Sequence, residues 1–409
     1  MIALDERLPN GLRLVVDTDR VAPVAAVTVA YRAGSSVEGP GEGELAHLFE
    51  HMMFEGSARV APGEHVALLT AYGGLVNGRT QPDCATYSSV VPNHLVELVL
   101  WLEAERLASL PAGLTPASLD RQRAVVRNEH RQRRAGVPYG SASSDLAERL
   151  FPPGHPYHTS MARRADLDGA SLATVEAFFR LHYTAANAVV AVCGDVDAAA
   201  VREWTHACFG PLPPSVPPPP VTGPRPAGGA RETVAAPVPR PRVYVAWAAP
   251  ADGTPEHDDL VPAMAVLTGG QRARLRRLAA ECDAVAGASL GIDSRSAGPS
   301  FVSGWVAPAD GVPPAVAEEA FVAALRDLAA RPPREEEVAR AARLLETATL
   351  TRDAPLGGRA YTRATGALLH GDPARRPAVT ACPAAVARAA GSVFGTDPVS
   401  LTYVPAGAP

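Results

Sequence analysis

The chain has 409 residues, 47% of them hydrophobic, and a formal net charge of −5, enough length for two cores of ordinary domain size. Lysine is absent and no long basic stripe stands out among the arginines, which argues against nucleic acid as a partner. Five scattered cysteines without a Cys-x-x-Cys pair indicate neither a disulfide framework nor a thiolate metal site, and no run approaches the ~20 apolar residues of a membrane span.

Met1–Val16 carries acidic residues and no long apolar core. It has the character of neither a signal peptide nor a transit peptide, so a cytoplasmic location is expected, with no membrane partner. Leu12–Val16 and Val24–Tyr31 are short β-branched runs bounded by turn or charged residues, and both are predicted as strands. After Pro40-Gly41 comes Gly43–Phe54, which contains His47-Leu48-Phe49-Glu50-His51. On a helix, positions four apart lie one above the other, so His47 and His51 share a face. Two neutral imidazoles so placed suit Zn²⁺. Glu50 borders that face, where a carboxylate can take a proton from a metal-bound water without ligating the metal. The order is the inverse of the common His-Glu-x-x-His zinc motif. A helical histidine is more often a packing or surface residue than a ligand, so the pair needs a third donor.

A helix is predicted from near Pro62 to Gly73-Gly74, with proline at its start and glycine past its end. Leu75–Thr80 and Thr86–Val91 read as a strand pair across Gln81-Pro82-Asp83. Asn93 can cap an amphipathic helix carrying Leu95, Leu98, Val99, Leu102 and Leu107. Thr115-Pro116 opens another long helix, closing near Gly136. Its apolar side carries Leu119, Val125 and Val126, and Glu129, four residues after Val125, falls on that inward side. His130 is turned about 100° away by the helical pitch. A buried carboxylate needs a partner; Arg123 or Arg133 would serve structurally, a metal functionally.

A Pro/Gly/His loop over Phe151–His158 leads to an amphipathic segment Ser171–Tyr183, an apolar strand Ala188–Cys193 and a helix capped by Asp197 that ends at Gly210. The proline-dense stretch from Pro211 to Pro226 can continue neither helix nor sheet, so a semi-rigid tether and a domain boundary are expected there. This divides the chain into residues 1–212, a linker 213–226, and residues 227–409. Beyond the linker the order of elements loosely repeats. Strands are predicted at Arg242–Trp247 and Phe301–Val306, and helices over Asp258–Leu267, Gln271–Cys282, Ala315–Ala330 and Glu335–Thr351. A closing strand Ser400–Val404 answers Val189–Cys193. No His-x-x-Glu-His occurs in the second half, so a metal site is expected in the first alone.

His47-Leu-Phe-Glu50-His51 followed by Met-Met-Phe-Glu-Gly-Ser resembles the M16 peptidases, the family of mitochondrial processing peptidase, pitrilysin and insulin-degrading enzyme. The likeness extends to Gly73-Gly74, Asn77-Gly78, Thr80, Asp83 and Thr86-Tyr87. It continues through Leu102–Arg106, Val125–Glu129, His155–His158 and Gly194-Asp195-Val196. In the second half it rests on length, element order and Leu267-Thr-Gly-Gly270.

The resemblance implies an α+β fold, a tandem repeat of two domains, each an antiparallel sheet backed by helices. It makes Glu129 the third zinc ligand beside His47 and His51, leaving the fourth position to water, and Glu50 the general base of amide hydrolysis. Peptide substrate would lie as an added strand along Leu75–Thr80, with Asn77 and Gly78 nearest the zinc. Two positions depart from the pattern. Gln122 stands where many relatives have glutamate, and Ala280 and Ala286 stand where active relatives carry an Arg and a Tyr that stabilise the oxyanion. The resemblance therefore implies a zinc endopeptidase for small peptides or leader segments, working as the zinc-bearing member of a heterodimer with a zinc-less M16-like chain, or otherwise as a homodimer. The alternative is a non-catalytic structural or peptide-holding subunit, and the retention of all four site residues speaks against it.

Overall fold

The computed structural model describes residues 1–134, 137–158, 164–377 and 382–406. In chain order the strands and helices are β1 (Ile2–Arg7), β2 (Arg13–Thr18), β3 (Val24–Tyr31), α1 (Leu45–Met52), α2 (Glu64–Thr70), β4 (Leu75–Thr80), β5 (Ala85–Pro92), α3 (Val96–Gly113) and α4 (Pro116–Arg134). Next come α5 (Ala142–Leu150), α6 (Arg164–Gly169), α7 (Leu172–His182), β6 (Ala188–Gly194) and α8 (Ala198–Phe209). The second half supplies β7 (Arg231–Ala236), β8 (Arg242–Ala249), α9 (Pro255–Thr268), α10 (Arg274–Glu281), β9 (Val285–Asp293) and β10 (Ser300–Pro308). It closes with α11 (Pro314–Ala330), α12 (Glu335–Asp353), α13 (Leu356–His370), α14 (Pro383–Phe394) and β11 (Val399–Pro405).

Two compact units result, and both are mixed α+β. The first comprises residues 1–129, 160–221 and 351–375; the second comprises 130–159, 222–350 and 376–409. The first holds a six-stranded sheet in the order β1-β2-β6-β3-β5-β4. β2 and β6 pair in parallel, and the other neighbours are antiparallel. The second holds a five-stranded sheet, β7-β11-β8-β10-β9, with β7 and β11 parallel and the rest antiparallel. Its path repeats that of β2-β6-β3-β5-β4, so the tandem repeat is real and β1 is the extra strand. In both halves one closing strand (β6, β11) runs parallel to the opening one, so neither sheet is purely antiparallel.

Both faces of the first sheet are covered, which accounts for the unbroken apolar run of β6. Val27, Val29 and Tyr31 of β3 join Val190 and Val192 in the main core under α1, α3 and α7. The alternate residues Ala26, Ala30, Val189, Ala191 and Cys193 meet Ala360, Ala364 and Ala367 of α13 on the other side. Small side chains on both partners allow helix and sheet to approach closely. In the second unit α5 plays the same part, with Leu146, Ala147 and Leu150 against Ala246, Leu401 and Tyr403.

This covering explains why the compact units do not follow the division into 1–212 and 227–409. Each sheet takes the helix on its second face from the opposite half of the sequence, α13 for the first and α5 for the second. One changeover, Val221/Thr222, does fall within the expected 213–226 linker, which is extended without helix or strand. Asn93 does not cap α3. Leu95 holds that position, while the Asn93 amide donates to Asp195. The closure of α4 near Gly136 and the side chain of Arg133 lie outside the described residues. Among the described residues, no helix is long and apolar enough to cross a membrane.

Candidate metal centre

The site is built on α1. Its N-cap residue, Glu44, adopts a left-handed backbone with φ 72°, a conformation uncommon outside glycine. The Glu38 carboxylate accepts the backbone N–H groups of Glu44 at 3.2 Å and Ala46 at 2.9 Å, satisfying donors that a helix start leaves open. Leu45, Ala46, Leu48, Phe49 and Met52 are wholly buried. The Phe49 ring stacks on Phe178, Phe179 and Tyr183 at centroid distances of 5.4, 5.9 and 5.0 Å. With that face fixed in the core, the opposite face carries His47 and His51 towards α4.

The two imidazoles sit 5.2 Å apart, centroid to centroid. Glu129 of α4 reaches both: its Oε2 is 3.5 Å from His47 Nε2 and its Oε1 is 3.5 Å from His51 Nε2. One donor atom from each of the three residues falls within 4.8 Å of the others. Zinc bonds of ~2.0–2.1 Å in tetrahedral geometry set neighbouring ligand atoms about 3.3–3.4 Å apart. The observed spacing fits that edge and exceeds an ordinary N–H···O hydrogen bond. The donor set therefore fits zinc in both chemistry and spacing.

His47 has a further neighbour that the sequence reading passed over. Glu44, 2% exposed, places Oε2 3.4 Å from His47 Nδ1. A carboxylate on the second nitrogen fixes the tautomer that leaves Nε2 for a metal. Burial works against the charged form of His47, yet the Glu44 hydrogen bond and charge, followed by the charges of Glu50 and Glu129, hold its pKa above the ordinary value. The signal was available, since Glu44 stands three residues before His47 and so on the same helical face.

On α4 the inward side differs from expectation. Val125 is 40% exposed, whereas Leu119, Val126 and His130 are buried. The core-facing strip is centred on Val126, one position later than the apolar count suggested. Glu129 lies three residues after Val126, at the border of that strip, with its side chain 28% exposed. It meets the histidines from the rim and not from the interior. Arg123, one of its possible structural mates, pairs instead with Asp120 at 2.8 Å.

β4 is an edge strand, bonded to β5 alone, with Gly78 opposite Tyr87 and Asn77 opposite Ser88. Val76, Gly78 and Thr80 face α1, and the Thr80 hydroxyl bonds the Ala46 carbonyl at 3.3 Å. A Cβ on Gly78 would stand 2.9 Å from Glu50 Cγ, so Glu50 and the strand are as close as a side-chain-free residue permits. Asn77 differs: its side chain is exposed, on the same face as Arg79, whose guanidinium sits over Tyr361 of α13. Only its backbone shares the edge with Gly78. In the second unit, Ala280 near the end of α10 and Ala286 on β9 are both exposed and offer no polar group.

The molecule is thus a duplicated sheet-and-helix fold with a His/His/Glu cluster of metal-ligand type in one half. The profile described as insulinase (peptidase family M16) matches residues 13–135, and that described as the peptidase M16 inactive domain matches residues 169–345, between them more than half of the chain. The chain belongs to the M16 peptidase family. It is similar to the zinc protease PqqE of Helicobacter pylori, 31% identical over 207 residues that are 49% of this chain and 45% of that protein. It is also similar to the mitochondrial-processing peptidase subunit beta of Blastocladiella emersonii, 26% identical across 51% of this chain and 44% of that one. The chain thus spans less than half the length of these two relatives. The crystal structure of a protease from Helicobacter pylori shares the fold throughout, with a TM-score of 0.89 over 98% of this chain and 99% of that one at 22% identity.

Proposed function

We propose that the chain is a zinc-dependent endopeptidase in which His47, His51 and Glu129 hold the metal and Glu50 is the general base. The observation that carries this reading is the convergence of one carboxylate on two imidazoles at 3.5 Å each, beside a glutamate whose charge reaches His47. The zinc-protease name of the Helicobacter pylori relative supports the choice of metal. When bound, zinc lowers the pKa of a coordinated water and polarises a carbonyl. Glu50 then accepts the water proton on its carboxylate and returns it to the departing amine. Glu44 keeps His47 in the required tautomer. The open edge of β4 receives the peptide through main-chain hydrogen bonds, so recognition is tolerant of sequence and suits small or unfolded peptides and leader segments. Cytoplasmic peptide processing accords with these features.

The arrangement lacks one component. Ala280 and Ala286 give no donor to the developing oxyanion, and removing even one such donor costs ~10²–10³-fold in related acyl-transfer chemistry. We propose that a second, zinc-less M16-like chain supplies it in a heterodimer. The rival reading, a peptide-holding subunit without catalysis, is disfavoured by the intact four-residue set. The test is to map products from a mixed peptide library incubated with zinc-loaded protein, with a chelator control. Internal cleavage that the chelator abolishes is the expected result; no cleavage, with or without the partner, leaves the holding role.

A further inference from the structure

The segment after α1 meets α4 at a second place, away from the metal donors. Glu55 is 7% exposed. Its Oε2 accepts from Arg121 Nη2 at 2.6 Å and its Oε1 accepts from Gln122 Nε2. Seven residues, or two helical turns, separate Gln122 from Glu129, so both project from the same side of α4. On the other partner, His47, His51 and Glu55 recur at intervals of four. Gln122 meets Glu55 while Glu129 meets His47 and His51, so the two segments run antiparallel and are joined by two rungs. The upper rung sets one carboxylate against two imidazoles at 3.5 Å each, a donor set that a cation would draw together. The lower rung is complete in itself, with a carboxylate accepting from an amide and a guanidinium.

We infer that Gln122 and Arg121 are positioning residues that, with Glu55, clamp α4 onto the α1 segment and set the reach of Glu129 to His47 and His51 before zinc arrives. This inference rests on the zinc reading above. It explains the residue type at position 122. An amide donates to Glu55, whereas a carboxylate at the same distance would oppose a buried like charge and push α4 away. Partners that orient metal ligands are commonly worth ~10–100-fold in metal affinity.

The test is a zinc titration against a chelating dye, run on wild type, Gln122→Glu, and the swapped double variant Gln122→Glu/Glu55→Gln, each with its melting temperature. The swap restores one carboxylate facing one amide, with Arg121 beside them. Gln122→Glu is expected to weaken zinc at least ~10-fold, and the double variant to return within about threefold of wild type. Wild-type affinity in Gln122→Glu, even with a lowered melting temperature, would reduce the contact to ordinary packing and overturn the inference. A double variant as weak as the single one would overturn it too. If Gln122→Glu does not fold, the double variant decides, since it must fold and bind. A wild type that takes up no stoichiometric zinc refutes the metal reading itself, a result distinct from either.

Discussion

Replacing Gly78 with alanine probes the closeness of β4 to the proposed base. The added Cβ would lie 2.9 Å from Glu50 Cγ, 3.6 Å from Glu50 Cδ and 3.4 Å from Phe54 Cε2. Carbon atoms prefer about 3.5–4.0 Å, so Glu50 or the strand must retreat by roughly 0.6–1 Å. Sideways escape is closed by Phe54, whose ring is flanked by His65, Tyr87 and the Arg106 guanidinium at 5.7, 6.0 and 5.1 Å. A misplacement of ~1 Å costs about 10²-fold in rate, so kcat should fall roughly 10- to 100-fold. Zinc content should not change, because the ligands are not among the atoms the new Cβ meets. Stability should fall modestly, since overpacking of this kind costs about 1–3 kcal/mol and the better strand propensity of alanine returns only roughly 0.5–1 kcal/mol of it. The assay is zinc-normalised turnover of a fluorogenic peptide, with the melting temperature measured alongside. A fully metallated Gly78→Ala protein within twofold of wild type would refute the argument.

Glu129→Ala should lose zinc, whereas His130→Ala should keep it and lose stability, because His130 is buried beside Glu44 and His47, their donor atoms within 4.8 Å of one another, and stands outside the His47/His51/Glu129 set; metal analysis of both purified variants decides. Arg106→Met should destabilise by about 3–5 kcal/mol in urea titration, since Glu103, buried with it and hydrogen-bonded at 2.6 Å, would be left uncompensated. Acidification should also destabilise. Burial, helped by the Arg106 charge, takes His65 down to about 2, and burial takes His182 down to about 4. Between those values and the ordinary 6.5 the unfolded chain binds protons that the folded chain refuses, so stability present above pH 6.5 is lost as pH falls. At pH 5 the loss is about 2 kcal/mol for each histidine, and His65→Gln should remove its share from the urea midpoint. Adding a zinc-less M16-like partner should raise turnover at least ~10²-fold over this chain alone; full activity of the single chain would refute the need for the partner.

The convergence of His47, His51 and Glu129 was legible because its spacing is local: four residues set His47 over His51, and the family pattern named Glu129. The face of α4 was not, because Val125 and Val126 are equally apolar and only packing selects Val126. Glu44 was passed over because carboxylates at helix starts are common and its role depends on a ring nitrogen pointing back at it. The apolar run Ala188–Cys193 marked a strand buried on both faces, yet nothing local says that α13, some 165 positions later, covers the second one. β1, β7 and β9 went unpredicted: the first two lie at exposed sheet edges, and the third is interrupted by Gly287 and Gly291. α13 opens on Gly357-Gly358, poor helix formers that earn their place by close approach. A Cβ on Gly357 would stand 3.2 Å from Val90 Cγ2.

The most direct test of the account compares wild type with Glu50→Gln at equal, near-stoichiometric zinc on one peptide. The substitution removes the base and leaves His47, His51 and Glu129 in place. Unchanged zinc affinity and melting temperature with at least ~10²-fold less hydrolysis is the expected result. Near-normal turnover by metal-replete Glu50→Gln would contradict the assignment of the base, and with it the proposed mechanism.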